Sequence, residues 1–112
     1  MKAAAFALAL LAACSTTGPP DLARPNDRQE KRYRVDRDVA FHAMVRALQK
    51  EGYEITVADP IRLRVEAKTG DRVAILQGIE GGGRVLIHVG MAHAEASDFR
   101  RLWRRLDREV ER

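Results

Sequence analysis

The stretch LRVEAKTGDRVAILQGIEGGGRVLIHVG, residues 63–90, decides the fold of this chain. Two short glycine-containing turns divide it into three segments, residues 63–67, 72–79 and 84–89. In the first segment apolar and charged residues alternate, which is the period of a strand with one face in water. Turns this short require that neighbouring strands run antiparallel. The stretch therefore predicts three consecutive antiparallel strands, the last of which ends at Gly90.

The residues before this stretch predict a strand, a helix and a further strand. Residues 31–35 alternate and suit a first strand, and residues 53–57 alternate in the same way. Between them, Asp36 has the side chain of a helix N-cap, and Gly52 is placed to end the helix in a left-handed conformation. The apolar residues of this helix recur at i, i+3, i+4 and i+7 and form one stripe, which consists of Phe41, Met44, Val45 and Leu48.

The residues after the stretch predict a second amphipathic helix. It begins near residues 95–98 and runs to about residue 111, with an apolar stripe of Phe99, Leu102, Trp103, Leu106 and Val110. The element order is then β-α-β-β-β-β-α. Two helices with one apolar face each, beside a half-polar sheet, predict an α+β two-layer sandwich. We expect a mostly antiparallel sheet with both helices on one face, and a solvated, charged opposite face.

The N-terminus carries a different pattern, which concerns targeting. Met1-Lys2 is followed by eleven residues without a polar side chain, residues 3–13. This run is shorter than the ~20 apolar residues of a membrane-spanning helix and fits the apolar core of a secretory signal peptide. It closes on Leu11-Ala12-Ala13-Cys14, which resembles the lipobox of bacterial lipoprotein precursors and contains the only cysteine of the chain.

The resemblance implies a definite processing route. The Cys14 thiol would become a diacylglyceryl thioether, residues 1–13 would be removed as the signal peptide, and the new amino group would receive a further acyl chain such as palmitate. A thiolate is the nucleophile that this chemistry needs. The implied location is the bacterial cell envelope, with the membrane held through the lipid on Cys14. Because Ser15 rather than aspartate follows the cysteine, the resemblance favours the periplasmic face of the outer membrane in a diderm host.

By composition, residues 14–112 consist of a predicted tether and one predicted domain. Residues 14–30 are polar and proline-rich, with Leu22 as their only large apolar side chain, and are predicted to be a flexible tether. Residues 31–112 are predicted to be a single α+β domain, near the lower size limit for a self-sufficient core. The formal charge of +4 becomes about +3 once Lys2 is removed, which is too small to indicate a nucleic-acid binder by charge alone.

The predicted domain also resembles a family of small bacterial lipoproteins of unknown function. The matching segments are Val39-Ala40-Phe41, Glu51-Gly52-Tyr53, Ala67-Lys68-Thr69-Gly70-Asp71 and Val85-Leu86-Ile87-His88-Val89-Gly90. The resemblance implies a fold and a lipid anchor. It implies no catalytic residues.

No motif in the sequence nominates catalysis, a cofactor or a metal. His42, His88 and His93 are separated by sequence and predicted face, whereas a zinc site needs three or four converging ligands. The Gly81-Gly82-Gly83 segment lacks the lysine and the strand-to-helix context of a phosphate loop, and is predicted to be a hairpin turn. We therefore expect a protein that is not an enzyme and that has no small-molecule substrate.

The one basic feature with functional potential is the last helix. Its arginines are Arg100, Arg101, Arg104, Arg105 and Arg108, followed by Arg112 at the chain end. They are candidates for contact with anionic lipid or an envelope polymer. The alternative is a solvated face braced by intrahelical pairs, which are Asp98–Arg101, Arg105–Glu109 and Arg108–Glu111.

Three hypotheses follow from the sequence. The first is a non-enzymatic structural or interaction module of the envelope, anchored through Cys14, with an unidentified envelope protein or polymer as its partner. The second is a binder of anionic lipid or polymer that uses the arginine helix or the solvated sheet face. The third is a cytoplasmic basic domain that binds nucleic acid, with the first 30 residues as a tail; the charge and the lipobox argue against it.

Overall fold

The computed structural model describes residues 28–111. The predicted signal peptide 1–13, Cys14 and the predicted tether up to residue 27 lie outside the described residues, as does Arg112. The elements in chain order are β1 (Arg28–Tyr33), α1 (Arg37–Lys50), β2 (Glu54–Asp59), β3 (Arg64–Thr69), β4 (Arg72–Gly81), β5 (Arg84–Ala92) and α2 (Ala96–Val110). This confirms the predicted order β-α-β-β-β-β-α.

The strands form one antiparallel sheet of five, in the order β1-β5-β4-β3-β2. The hairpins of the stretch 63–90 place β3, β4 and β5 side by side. β1 returns to pair with β5, and β2 pairs with β3, so these two strands are the edges of the sheet. Buried residues of both helices join one face of the strands in a single core. The predicted α+β sandwich is confirmed.

Helix α1 begins and ends as its local sequence predicts. The Asp36 carboxylate accepts a hydrogen bond from the Val39 backbone N–H at 3.0 Å, which caps α1. Gly52 adopts φ +90° after the last turn, and the Tyr53 N–H donates to the Leu48 carbonyl at 2.9 Å. Among residues 28–111, no helix is both long and apolar enough to cross a membrane.

The buried face of α1 is made largely of alanine, which the predicted stripe did not include. Ala40, Ala43 and Ala47 have no exposed surface, whereas Phe41 and Val45 are only half-buried. Small side chains let the helix axis approach the sheet closely, and the larger residues then pack along its flanks. The prediction was correct for Met44 and Leu48, which are both buried.

Several strand boundaries differ from the predicted ones, most clearly at the start of β1 and the end of β5. β1 begins at Arg28, three residues before the predicted domain start, and pairs with β5 from Arg28↔Gly90 to Tyr33↔Val85. An edge strand needs only its backbone ladder, so polar residues such as Gln29 and Glu30 take part without an apolar pattern. β5 continues past Gly90 to Ala92 because that glycine is paired on both sides, with Arg28 and with Ile75.

The chain also departs from the predicted strand start at Leu63. This residue has a left-handed backbone with φ +54°, although its side chain is buried with 3% exposure. Its carbonyl accepts a hydrogen bond from the Gly78 N–H at 2.7 Å. Arg37 donates to the carbonyls of Pro60 and Ile61 at 2.9 and 2.6 Å. The β2–β3 loop is therefore folded against β4, and β3 begins only at Arg64.

Replacing Gly78 with alanine is expected to destabilise the domain by about 1–3 kcal/mol, the usual cost of overpacking a core. An added Cβ would lie 3.1 Å from the Leu63 Cβ and 3.3 Å from the Val85 Cγ1. Gly90→Ala is the matched control, since an added Cβ there meets nothing within 4 Å. Urea unfolding measures both variants. Equal midpoints for Gly78→Ala and Gly90→Ala would contradict the close packing of Leu63.

Candidate functional site

The arginines of α2 fall into two groups that the sequence did not separate. Arg101 and Arg105 turn towards α1, where their Nε atoms lie 3.6 and 3.0 Å from the carboxylate of Glu51. Arg101 also donates to Asp98, as predicted. Glu51 is largely buried, so these two arginines join α2 to α1 through its carboxylate.

The second group forms a stripe on the outer face of α2. Arg100, Arg104 and Arg108 are exposed and follow one another at i, i+4 and i+8. Within residues 28–111, no acidic side chain forms an ion pair with any of the three. Like charges four residues apart on a helix repel each other and weaken it slightly. We call these three residues the arginine stripe.

The predicted bracing of this helix is only partly observed. The Asp98–Arg101 pair forms, but Arg105 lies against Glu51 rather than Glu109. Within the described chain, no ion pair joins Arg108 to Glu111. The prediction considered only residues of the same helix, and the acidic partners of α2 arginines come in part from α1. The arginine stripe is solvated, as one of the two interpretations predicted, but the predicted intrahelical pairing of Arg108 is not observed among the described residues.

A buried carboxylate fixes α2 against α1. Glu109 has no exposed surface, and its two oxygens lie 2.9 Å from the Nε of Arg46 and 2.8 Å from the Nζ of Lys50. Both cations keep about 40% of their side-chain surface in water. The carboxylate is therefore removed from solvent while its partners remain hydrated, an arrangement in which the ion pairs offset the cost of burying the charge.

The opposite flank of α2 is fixed to β1. The Tyr33 hydroxyl donates to the Asp107 carboxylate at 2.7 Å, and the Lys31 Nζ lies 2.9 Å from the same group. Burial, together with the hydrogen bond to Asp107, raises the pKa of the Tyr33 hydroxyl above its ordinary value. With both flanks held, the helix presents the arginine stripe in one orientation. Trp103, predicted to be core, is only partly buried and packs against the core.

The three histidines are in α1, in β5 and in the turn after β5. His42 is exposed, with its Nδ1 2.8 Å from the Asp38 carbonyl, while His88 is on the open sheet face, 3.2 Å from the Glu30 carboxylate. His93 is exposed in the turn after β5. In the part of the chain that the structure describes, no three histidine, cysteine or acidic side chains are grouped so that they would hold a metal ion.

The sheet face away from the helices carries a shallow concavity of about 500 Å³. It lies above Gly90, between the apolar side chains of Val73 and Ile75 and the polar groups of Arg64, Gln77 and His88. These polar groups are occupied by neighbours, since Arg64 bonds to Glu66 at 2.7 Å and to Gln77 at 3.3 Å. No nucleophile lies beside a general base among the lining residues, so the concavity offers no recognisable catalytic arrangement.

A second basic cluster lies at the Gly81–Gly83 end of the sheet, and sequence reasoning missed it. It contains Arg32, Arg34 and Arg84, which line one concavity of about 320 Å³. Roughly fifty residues separate Arg84 from the other two in the chain. Only the antiparallel pairing of β1 with β5 brings them together, so no spacing in the sequence indicated the cluster.

Comparison with known proteins assigns no family to this chain. No family model matches it, and no curated protein matches it. Among solved structures, it is similar to the crystal structure of TTHA0849 from Thermus thermophilus, at 12% sequence identity and a TM-score of 0.47. The similarity covers 75% of this chain and 95% of that chain. The fold assignment therefore rests on the strand register and core of the chain itself.

Proposed function

We propose that this protein is a lipid-anchored module of the bacterial envelope that acts by interaction rather than by catalysis. The observation that carries the proposal is Leu11-Ala12-Ala13-Cys14 at the end of an apolar run. That position, after a short positive segment and before a polar segment, is the one at which a signal peptide is cut. Two or more acyl chains on one cysteine give stable membrane attachment, whereas one chain gives only marginal binding.

The start of the fold supports the proposed anchor geometry. β1 begins at Arg28, which leaves residues 15–27 between the lipidated cysteine and the sheet. A flexible segment of that length would span about 20 Å on average, so the domain would stay close to the membrane surface. Arg28 pairs with Gly90 at the end of the sheet from which the chain continues into α2. The first turn of α2 is therefore at the tethered end of the domain.

Replacing Cys14 with serine is expected to abolish lipid attachment, because a hydroxyl does not replace the thiolate as nucleophile. Cells that express the variant should show no incorporation of labelled palmitate into this chain, and the chain should keep its signal peptide. Ser15→Ala is the matched control, since it changes the neighbouring residue and keeps the thiol. Equal labelling of Cys14→Ser and the unaltered chain would rule out the proposed anchor.

A second candidate function is contact with an anionic surface through the arginine stripe. Its support is the absence of an ion pair for Arg100, Arg104 and Arg108 among residues 28–111, in a helix whose other two arginines are both paired. The stripe begins at the tethered end of the domain, so the proposed anchor would hold it near lipid headgroups. Each arginine close to an anionic membrane contributes about 1 kcal/mol of binding energy.

Binding to anionic vesicles is expected to depend on the stripe and on salt. For a chain of residues 15–112, Arg104→Gln with Arg108→Gln should weaken binding to phosphatidylglycerol vesicles by roughly thirtyfold at low ionic strength. Arg62→Gln with Lys68→Gln removes the same charge from exposed positions elsewhere and is expected to have a much smaller effect. Vesicle sedimentation from low to high salt measures both variants. Equal losses in the two variants would show that only net charge matters.

A further inference from the structure

Three arginines converge where β1 ends and the β4–β5 hairpin turns. Arg32 lies opposite Leu86, and Arg34 and Arg84 flank the pair Tyr33↔Val85. All three line a concavity of about 320 Å³, and Arg32 and Arg84 also line an adjoining one of about 390 Å³. The side chains therefore share one region of surface, although Arg32 is in β1, Arg34 directly follows β1 and Arg84 begins β5.

No acidic side chain of residues 28–111 pairs with these arginines. Glu80 lines the adjoining concavity, but its carboxylate is 3.3 Å from Arg37, which draws it towards α1. Like charges on neighbouring strands destabilise a sheet. All three arginines are exposed, so the packing of the core does not depend on them. An anion bound between them would offset the repulsion.

The surroundings of the cluster limit the kind of anion. Gly82 and Gly83 have left-handed backbones and no side chains, so these two residues of the hairpin turn place no side chain over the arginines. Leu86 and Ile79 line the same adjoining concavity, and Ile79 is 53% exposed. The site thus combines a strongly positive region with an apolar wall, which suits a ligand that carries a charged group on a less polar body.

The positive region favours phosphate over carboxylate. A guanidinium group is planar and offers paired donors that match phosphate oxygens. Three guanidinium groups supply more donors and more charge than one carboxylate can use, whereas a phosphate monoester has three terminal oxygens and carries up to two negative charges at neutral pH.

We propose that Arg32, Arg34 and Arg84 form a binding site for a phosphate monoester, with Leu86 and Ile79 against the less polar part of the same ligand. The site is separate from the arginine stripe and does not depend on the lipid anchor. Its position is also distinct, because Arg32 lies with Leu86 on the open face of the sheet, whereas the arginine stripe is on α2, which packs against the other face.

The test is a titration of the full chain, held in a neutral detergent at low ionic strength, with glycerol 3-phosphate. Calorimetry is expected to show saturable binding that Arg84→Gln or Arg32→Gln weakens by roughly tenfold or more. Arg104→Gln and Arg62→Gln, which remove the same charge from the arginine stripe and from the β2–β3 loop, are expected to bind like the unaltered chain. Thermal unfolding checks that each variant is folded.

A second arm distinguishes the source of the phosphate. Vesicles of phosphatidylcholine with phosphatidic acid present the same monoester on a lipid headgroup, and pure phosphatidylcholine vesicles are the blank. Binding of glycerol 3-phosphate that depends on Arg84 identifies a soluble ligand, and Arg84-dependent binding to the vesicles alone identifies a lipid headgroup. Either result supports the site. No binding in both arms, or equal weakening by Arg104→Gln and Arg84→Gln, overturns it.

Discussion

Replacing both Arg46 and Lys50 with alanine is expected to destabilise the domain by about 3–5 kcal/mol, the usual cost of removing the partners of a buried charge. The buried charge is the carboxylate of Glu109, which has no exposed surface. Its oxygens lie within 3 Å of the Arg46 Nε and the Lys50 Nζ. Domains are stable by only about 5–15 kcal/mol in total, so the variant should unfold at a much lower urea concentration. Urea unfolding followed by circular dichroism is the measurement.

The control for this variant changes two equally charged residues that do not contact a buried acid. Arg62 and Lys68 are exposed, so Arg62→Ala with Lys68→Ala should unfold near the midpoint of the unaltered chain. A third variant adds Glu109→Leu to the Arg46 and Lys50 changes. It should recover much of the lost stability, because an apolar side chain of similar size replaces the buried charge. An unchanged midpoint in the first variant would contradict the role given to Glu109.

Replacing Asp98 with alanine is also expected to have a large effect, and to destabilise the domain by about 2–4 kcal/mol. The Asp98 side chain is only 5% exposed, and its carboxylate accepts a hydrogen bond from the Glu95 backbone N–H at 2.8 Å. It also lies 3.4 Å from Arg72 of β4 and accepts from Arg101. One carboxylate thus caps α2, ties its first turn to the sheet and holds an arginine that reaches Glu51.

Asparagine at this position separates the two contributions. Asp98→Asn keeps an oxygen that can accept from the Glu95 N–H and removes the charge, so it should lose less stability than Asp98→Ala. Asp38→Ala is the matched control, because Asp38 also lies in the first turn of a helix but is exposed. Hydrogen exchange at the start of α2, together with urea unfolding, measures the effect. A loss for Asp98→Ala no larger than that for Asp38→Ala would refute this account of α2.

The elements that sequence predicted correctly are those whose signals are local. The Asp36 cap, the left-handed Gly52 and the hairpins of residues 63–90 each depend on a few neighbouring residues, and each is present in the structure. The polar start of β1 and the alanine face of α1 depend instead on what lies opposite them. The residues around Arg28 do not predict that it pairs with β5, and the residues around Ala43 do not predict the sheet surface that lies beneath it.

The candidate sites divide in the same way. The sequence identified the arginines of α2 as candidates. Only the tertiary contacts show that Arg101 and Arg105 form ion pairs with Glu51, whereas the arginine stripe is exposed. The cluster of Arg32, Arg34 and Arg84 has no sequence signature, because the register of β1 on β5 creates it. The proposed lipobox is the opposite case, since only a sequence pattern supports it and Cys14 lies outside the described residues.

The central claim is that Cys14 carries the membrane anchor, and intact mass spectrometry tests it most directly. The chain would be expressed in full and isolated from the membrane fraction of a bacterial host. The account predicts a species that begins at Cys14 and carries the added mass of a diacylglyceryl group and a further acyl chain. An unmodified chain that begins at Met1 would contradict it and would return attention to the cytoplasmic nucleic-acid-binding hypothesis.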